Sequence, residues 1–472
     1  MTFLKKAATA AFAVAALAGF GWVGSAHAVS NTTVVNLSGF GDPLEGIRNE
    51  VVFGIMGRLQ TFADGQFEFA QDEELPRVGP IFNSKSCGAC HFQPALGGSG
   101  GFINEVRIRN NVGGGGGPLH IFGSDNVLRL GPQTGGGLIF FPTGVHATPI
   151  GCQMTHPNCS RSACQNEEAT RTTFATTLNL CDPTSSGFAG GANCTAERQS
   201  TPLFGFGFVE AIADGTFDAI AAGQPAAIRG TVKRVVEFGR TRVARFGWKD
   251  DIATLRAFAG GAYLNEMGIT NPDNPNELSN CALNRTQFGV LLDATDDPED
   301  EIEADGRADT DRFADFMRAL DVPPTLQQNN SAQTGHTLFN QVGCGGCHVE
   351  SITTAANPSQ FVPPTTGGVA IDNVLLEVFL DNETIHPFSD FLLHDMGALG
   401  DGITSGAAGP RQMRTAPLWG IRGKSKLLHD GRAVTIPEAV SFHGGQGAAA
   451  RAAFQALTAA QQQNIVDFLN TR

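Results

Sequence analysis

The chain lacks concentrated positive charge. Its 472 residues carry 32 Lys and Arg against 46 Asp and Glu, a formal net charge of −14. With no basic patch to neutralise a phosphate backbone, nucleic-acid binding is excluded. Beyond the first 28 residues no apolar run is long enough to span a bilayer. Strand-like alternation is scarce, which predicts a mainly α chain with long loops. The glycine run at 113–117 has neither a strand–helix frame nor a lysine beside it. It therefore has no phosphate-binding logic and reads as a loop.

What is present begins with an address. Lys5 and Lys6 precede an uncharged, alanine-rich stretch at 7–23, and Ala26-His27-Ala28 forms a small-residue cleavage site. These features predict a signal peptide at 1–28, removed on export to a bacterial periplasm. A retained anchor helix is the competing reading, but the run is short for a span. The acidic surface favours basic or locally complementary small electron carriers.

Two pentapeptides carry the chemistry: Cys87-Gly88-Ala89-Cys90-His91 and Cys344-Gly345-Gly346-Cys347-His348. At this spacing two thiols reach the vinyl groups of one haem and the next histidine falls beneath the iron. Cys87, Cys90, Cys344 and Cys347 are therefore expected to attach two haem c groups covalently, with His91 and His348 as iron ligands. A zinc or redox CxxC pair that happens to precede a histidine is the bland alternative. Six cysteines remain: Cys152, Cys159, Cys164, Cys181, Cys194 and Cys281. In an oxidising compartment they predict three disulfides, five of the six cysteines falling in an insertion at about 150–197. A metal site that includes His156 is the other reading, although no CxxC spacing occurs there.

The two motifs lie in an internal repeat. Residues 82–91 overlie 339–348, Pro202-Leu203-Phe204-Gly205 parallels Pro417-Leu418-Trp419-Gly420, and Thr254-Leu255 pairs with Thr435-Ile436, in the same order. A repeat of this length is read before any single motif. It predicts two haem domains, 29–330 and 331–472. An exposed acidic linker is expected at about 293–330, and an apolar helix over 449–469.

The repeat also separates the halves. Anchored on Thr254 and Thr435, His443 falls opposite Ala262. A histidine can ligate iron and an alanine cannot. The second haem is thus expected to be six-coordinate, with His348 and His443, and the first to be open above His91. Glu266, four residues past Ala262, suits general acid–base work on a bound peroxide. Trp248 begins the aligned segment and suits electron passage between the haems. Each has a rival: His443 as a turn residue, Met396 as the second haem's ligand, His394 as a ligand or propionate partner, and Glu210 as the reserve acid. Glu266 also reads as an ordinary solvated acid, and Trp248 as packing.

The segments Gly79-Pro80-Ile81-Phe82-Asn83, 202–212, 389–397, Arg414-Thr415-Ala416-Pro417-Leu418-Trp419-Gly420, Leu428-His429-Asp430-Gly431-Arg432 and Phe442-His443-Gly444-Gly445 carry a family likeness. The chain resembles the bacterial di-haem cytochrome c peroxidase superfamily, and within it the di-haem oxidoreductase branch. The resemblance implies two cytochrome c-like domains facing each other. It also implies His443 as the second axial ligand (often methionine in the peroxidases), Glu266 as the distal acid and Trp248 between the haems. Two departures stand out. Residues 92–119 hold no histidine to close the first haem. Lys424-Ser425-Lys426 replaces the Thr-x-Pro of the family's calcium site, which puts calcium in doubt. The expected activity is reduction of hydrogen peroxide with electrons from a small c-type cytochrome or cupredoxin. The alternatives are oxidation of a partner protein, oxygenase chemistry, or a non-catalytic di-haem electron carrier.

Overall fold

The computed structural model describes residues 37–45, 47–48, 57–73, 81–82, 86–100, 104–109, 119–120, 127–129, 138–140, 194–275, 300–372 and 375–472. Helices carry the packing, and the strands are short. The helices that matter here are α1 (Gly57–Ala70), α2 (Phe206–Glu210), α3 (Asp214–Gly223), α4 (Leu255–Met267), α5 (Asp309–Ala319), α6 (Asn330–Gln341), α7 (Ile436–Ser441), α8 (Ala448–Gln455) and α9 (Ala459–Leu469). Among the strands, β1 (Leu393–Asp395) and β2 (Gln412–Arg414) pair antiparallel, with His394 opposite Met413. No helix of the described residues is long and apolar enough to cross a membrane.

Two apolar cores form among the described residues. The larger includes Phe62, Phe69, Phe313 and Phe316, and the second gathers Phe339, Phe388, Phe454, Ile465 and Phe468. Each is built round a helix crossing: α1 and α4 lie on α5, and α6 lies on α9. Glycine permits the close approach. A Cβ on Gly65 of α1 would stand 2.4 Å from the Arg312 carbonyl, and one on Gly335 of α6 would stand 1.8 Å from the Asn464 carbonyl. No side chain fits at either crossing.

Other local structures occur twice. Thr254 and Thr435 each cap the following helix, their hydroxyls accepting from Ala257 N and Glu438 N. Phe246 bridges Ile252 as Leu427 bridges Ala433. Within those turns φ is positive at Gly247 and Asp250 in one copy and at Leu428 and Gly431 in the other. All four of these pairs lie 181 residues apart in sequence, as do Thr254 and Thr435. Gly205 and Gly420 share a left-handed conformation, with φ of 71° at both.

Two sequence expectations need correction. The acidic stretch is exposed at 301–305, as expected, but from Ala308 onward it is no solvated linker, because α5 is a core helix. Asp311, Asp315 and Arg318 are buried, and Asp300 caps the helix by accepting from Asp309 N at 2.7 Å and Thr310 N at 3.2 Å. Acidic residues are stabilised at a helix N-terminus, which is why the sequence concentrates them there. The C-terminal segment is two helices, α8 and α9, separated at 456–458. Thr458 and Gln461 form a capping box that starts the second. The signal-peptide reading and the disulfide reading fall outside the described residues, save for the backbone of Cys194, which pairs with Arg109.

Candidate haem sites and the contact between them

Each CxxCH folds as one tight turn, Cys87–Ala89 and Cys344–Gly346. His91 N and His348 N donate to the carbonyls of Cys87 and Cys344, at 3.0 and 2.9 Å, and this closes the turn. The residues inside the motifs are small because neighbours crowd them. A Cβ on Gly345 would stand 2.3 Å from Asn340 Oδ1, and one on Gly346 would stand 2.6 Å from Ile228. Burial pushes the Cys87 and Cys344 thiols up to about 12, so unattached they would be neutral.

Three histidines have their Nδ1 committed to a backbone carbonyl: His91 to Gly98 O at 3.0 Å, His348 to Phe388 O at 2.8 Å and His443 to Ala439 O at 2.9 Å. Such a bond fixes the tautomer and presents Nε2 as the ligand nitrogen. Burial pushes His348 down to about 4, helped by the neighbouring His443, and His443 itself is held below the ordinary imidazole value by burial. Both are therefore neutral, as an iron ligand must be.

Met396 shares this place. A Cβ on Gly447 would stand 3.2 Å from His443 Cβ and 3.4 Å from Met396 Cε, so imidazole and thioether meet there. His394 points elsewhere. Its Nε2 lies 2.8 Å from Asp390 Oδ2 and its Nδ1 lies 3.7 Å from Cys347 Sγ. Burial opposes its charge, but the bonds to Asp390 and Cys347 outweigh that and raise it to about 10. Among the described residues, Cys347, Asp390 and His394 form a trio within metal-binding reach. The carboxylate also accepts from Gln224 Nε2 at 2.7 Å. We read the trio as a hydrogen-bonded support for the second motif.

In the first half Ala262 and Glu266 lie four apart on α4 and share a face. Glu266 is half-buried. Glu210 is 1% exposed and engaged. It accepts from Leu255 N at 2.7 Å, at the start of α4, and pairs with Arg318 Nε at 2.7 Å on α5. Its carboxylate holds α2, α4 and α5 together.

The halves clasp each other's motifs. Ser425 Oγ donates to Gln93 Oε1 at 2.7 Å, and a Cβ on Gly423 would stand 2.6 Å from Pro94, beside the first motif. Reciprocally, Gln224 Nε2 donates to Gly346 O at 2.9 Å and Thr231 N to Leu393 O at 2.8 Å, beside the second. Trp248 lies at this junction, 8% exposed, its indole N–H donating to Gln199 O at 2.7 Å. It meets His429 edge-on with ring centroids 6.2 Å apart. Trp248 and His429 occupy corresponding positions in the two turns, so the two turns touch there.

The donor set fits haem. Besides the thiols and histidines, Arg414 Nη1 and Trp419 Nε1 are buried with no hydrogen-bond partner among the described residues, and both side chains flank Phe391, at 5.7 and 6.5 Å. Orphaned buried donors are costly, and a carboxylate-bearing group such as a haem propionate satisfies such donors. Sequence reasoning missed this pair. It also missed Phe69 and Phe339, which stand four residues after Gly65 and Gly335 and reach the histidines of the two motifs. Phe69 lies 5.9 Å from His91, and Phe339 lies 6.3 Å from His348. The repeated Gly-x-x-x-Phe was the available signal.

Residues 192–472 match the family described as "Di-haem oxidoreductase, putative peroxidase", more than half of the chain, and the protein belongs to that family. No curated protein matches it significantly. Among solved structures, a MauG-like protein associated with microbial copper homeostasis matches at 18% identity and TM-score 0.25, covering 48% of this chain and 67% of that one. Hydrazine synthase of Kuenenia stuttgartiensis matches at 16% identity and TM-score 0.21, over 35% of this chain. The match spans about half (55%) of the hydrazine synthase chain.

Proposed function

We propose that the protein is a periplasmic di-haem c enzyme of two duplicated domains that reduces hydrogen peroxide. Cys87, Cys90, Cys344 and Cys347 would hold the haems, with His91 and His348 beneath the irons. The haem pair supplies electron storage and an open iron when bound. Electrons come from a small c-type cytochrome or cupredoxin at the second site. Trp248, joined to its counterpart His429, is the passage toward the first site.

One observation carries this reading. His443 is hydrogen-bonded through Nδ1 to Ala439 O, which leaves Nε2 free to ligate, whereas its repeat counterpart is Ala262, with Glu266 one turn further along the same face of α4. One site is capped from both sides and the other has room beside an acid. Met396 is the alternative cap. Glu266 accepts a proton from one peroxide oxygen and returns it to the other, which assists cleavage. Glu210 serves structure through its Arg318 pair and takes no part in this transfer.

Replacing Glu266 with glutamine keeps its shape but removes the base. The Glu266→Gln holoprotein should lose peroxide turnover by 100-fold or more, while both haems remain attached. General acid–base groups are worth about 10²–10⁴ in rate. Unchanged turnover would overturn the assignment. Binding of cyanide at neither haem would favour a plain electron carrier.

A further inference from the structure

The chain has 34 phenylalanines and one tyrosine, Tyr263. Phenylalanine would fill an apolar space equally well, so the one phenol is of interest for its hydroxyl. Tyr263 is 1% exposed on α4, and its hydroxyl donates to Glu73 Oε1 at 2.7 Å. Glu73 is itself 5% exposed. Burying a carboxylate is costly and is kept only where it has a use or a partner. The pair stands beside the first haem motif. The Glu73 charge acts on the Cys87 thiol. A short series of rings joins Tyr263 to the haem ligand: Tyr263 to Phe313 at 5.0 Å, Phe313 to Phe69 at 6.2 Å and Phe69 to His91 at 5.9 Å.

Phenol is hard to oxidise unless its proton leaves with the electron, because its own pKa is about 10. A carboxylate already accepting the O–H bond supplies that exit. We propose that Tyr263 is a redox-active tyrosine, a one-electron relay paired with Glu73 as proton acceptor. The inference rests on peroxide oxidising the first haem. When no donor is present, the oxidised haem takes one electron from Tyr263. The phenolic O–H bond breaks and its proton moves to Glu73, leaving a neutral phenoxyl radical and a protonated carboxyl. An electron from the donor protein and return of the same proton restore both. The pair thus accepts an oxidising equivalent that would otherwise attack the haem.

Since the tyrosine is the sole one, an isotope label reports a single residue. Holoprotein grown with ring-deuterated tyrosine is mixed with hydrogen peroxide without donor, frozen, and read by paramagnetic resonance together with the haem absorption. A parallel sample is oxidised by photogenerated ruthenium(III) instead of peroxide. The expected result is an organic radical whose hyperfine splitting collapses on deuteration. It should vanish in Tyr263→Phe and fall at least tenfold in Glu73→Gln. A radical in the photochemical arm with no haem change on peroxide discards the peroxide reading and keeps this one. Haem oxidation in either arm without a deuterium-sensitive radical overturns the proposal, as does an undiminished radical in Glu73→Gln. Should Glu73→Gln lose haem, the label on the unaltered chain still decides.

Discussion

At His443, one hydrogen bond determines what the imidazole can do. With Nδ1 donating to Ala439 O, the other nitrogen is left as the one that could ligate a metal. Removing the ring separates ligation from packing. His443→Ala should convert the second haem from low to high spin with both haems retained, and His443→Met should restore low spin, read by paramagnetic resonance. A His443→Ala spectrum that stays low-spin, with Met396→Ala removing that signal, would instead make Met396 the ligand. The thiol pairs, His91 and His348 are proposed from spacing alone, because covalent attachment would impose it. Alignment of the halves brought out His443 and Glu266. Arg414 and Trp419 were not legible as orphaned donors, because that status depends on which groups fail to reach them in space.

At the scale of elements, the helix crossings matter most. Gly335 allows α6 to touch the backbone of α9, and Gly65 does the same for α1 on α5. Adding one methyl at Gly335 forces the helices apart. Gly335→Ala should lower stability by roughly 1–3 kcal/mol, the usual range for overpacking. By contrast, a methyl added at Gly215 of α3 would meet nothing within 4 Å. Gly215→Ala should be neutral or gain about 0.5–1 kcal/mol, and thermal melts of the two variants check the contrast. The Glu210–Arg318 pair belongs to the same scale. Breaking such a buried pair costs about 3–5 kcal/mol, which explains why an acid that looked catalytic beside a glycine-aromatic turn is tied to α4 and α5. The sequence comparison paired the CxxCH segments but not the preceding helices, since Gly65 lies 22 residues before Cys87 and Gly335 only nine before Cys344. The unequal connection hid a matching Gly-x-x-x-Phe. The acidic charge of α5 hid its apolar face in the same way, because helix capping and burial both use the Asp residues that reading by composition assigns to solvent.

Across the whole molecule, two similar local structures serve two different ends. The turn around Trp248 and the turn around His429 repeat each other down to their positive φ angles, and they touch where each half reaches over the other's haem motif. In the proposed reading a duplicated scaffold brings the two sites together, and the difference between His443 and Ala262 sets their roles. The most direct measurement is a paramagnetic resonance and absorption titration of the resting holoprotein with cyanide. The account predicts two haems, one low-spin and indifferent to cyanide, the other high-spin and converted by it. Two low-spin haems, neither of which binds cyanide, would contradict it.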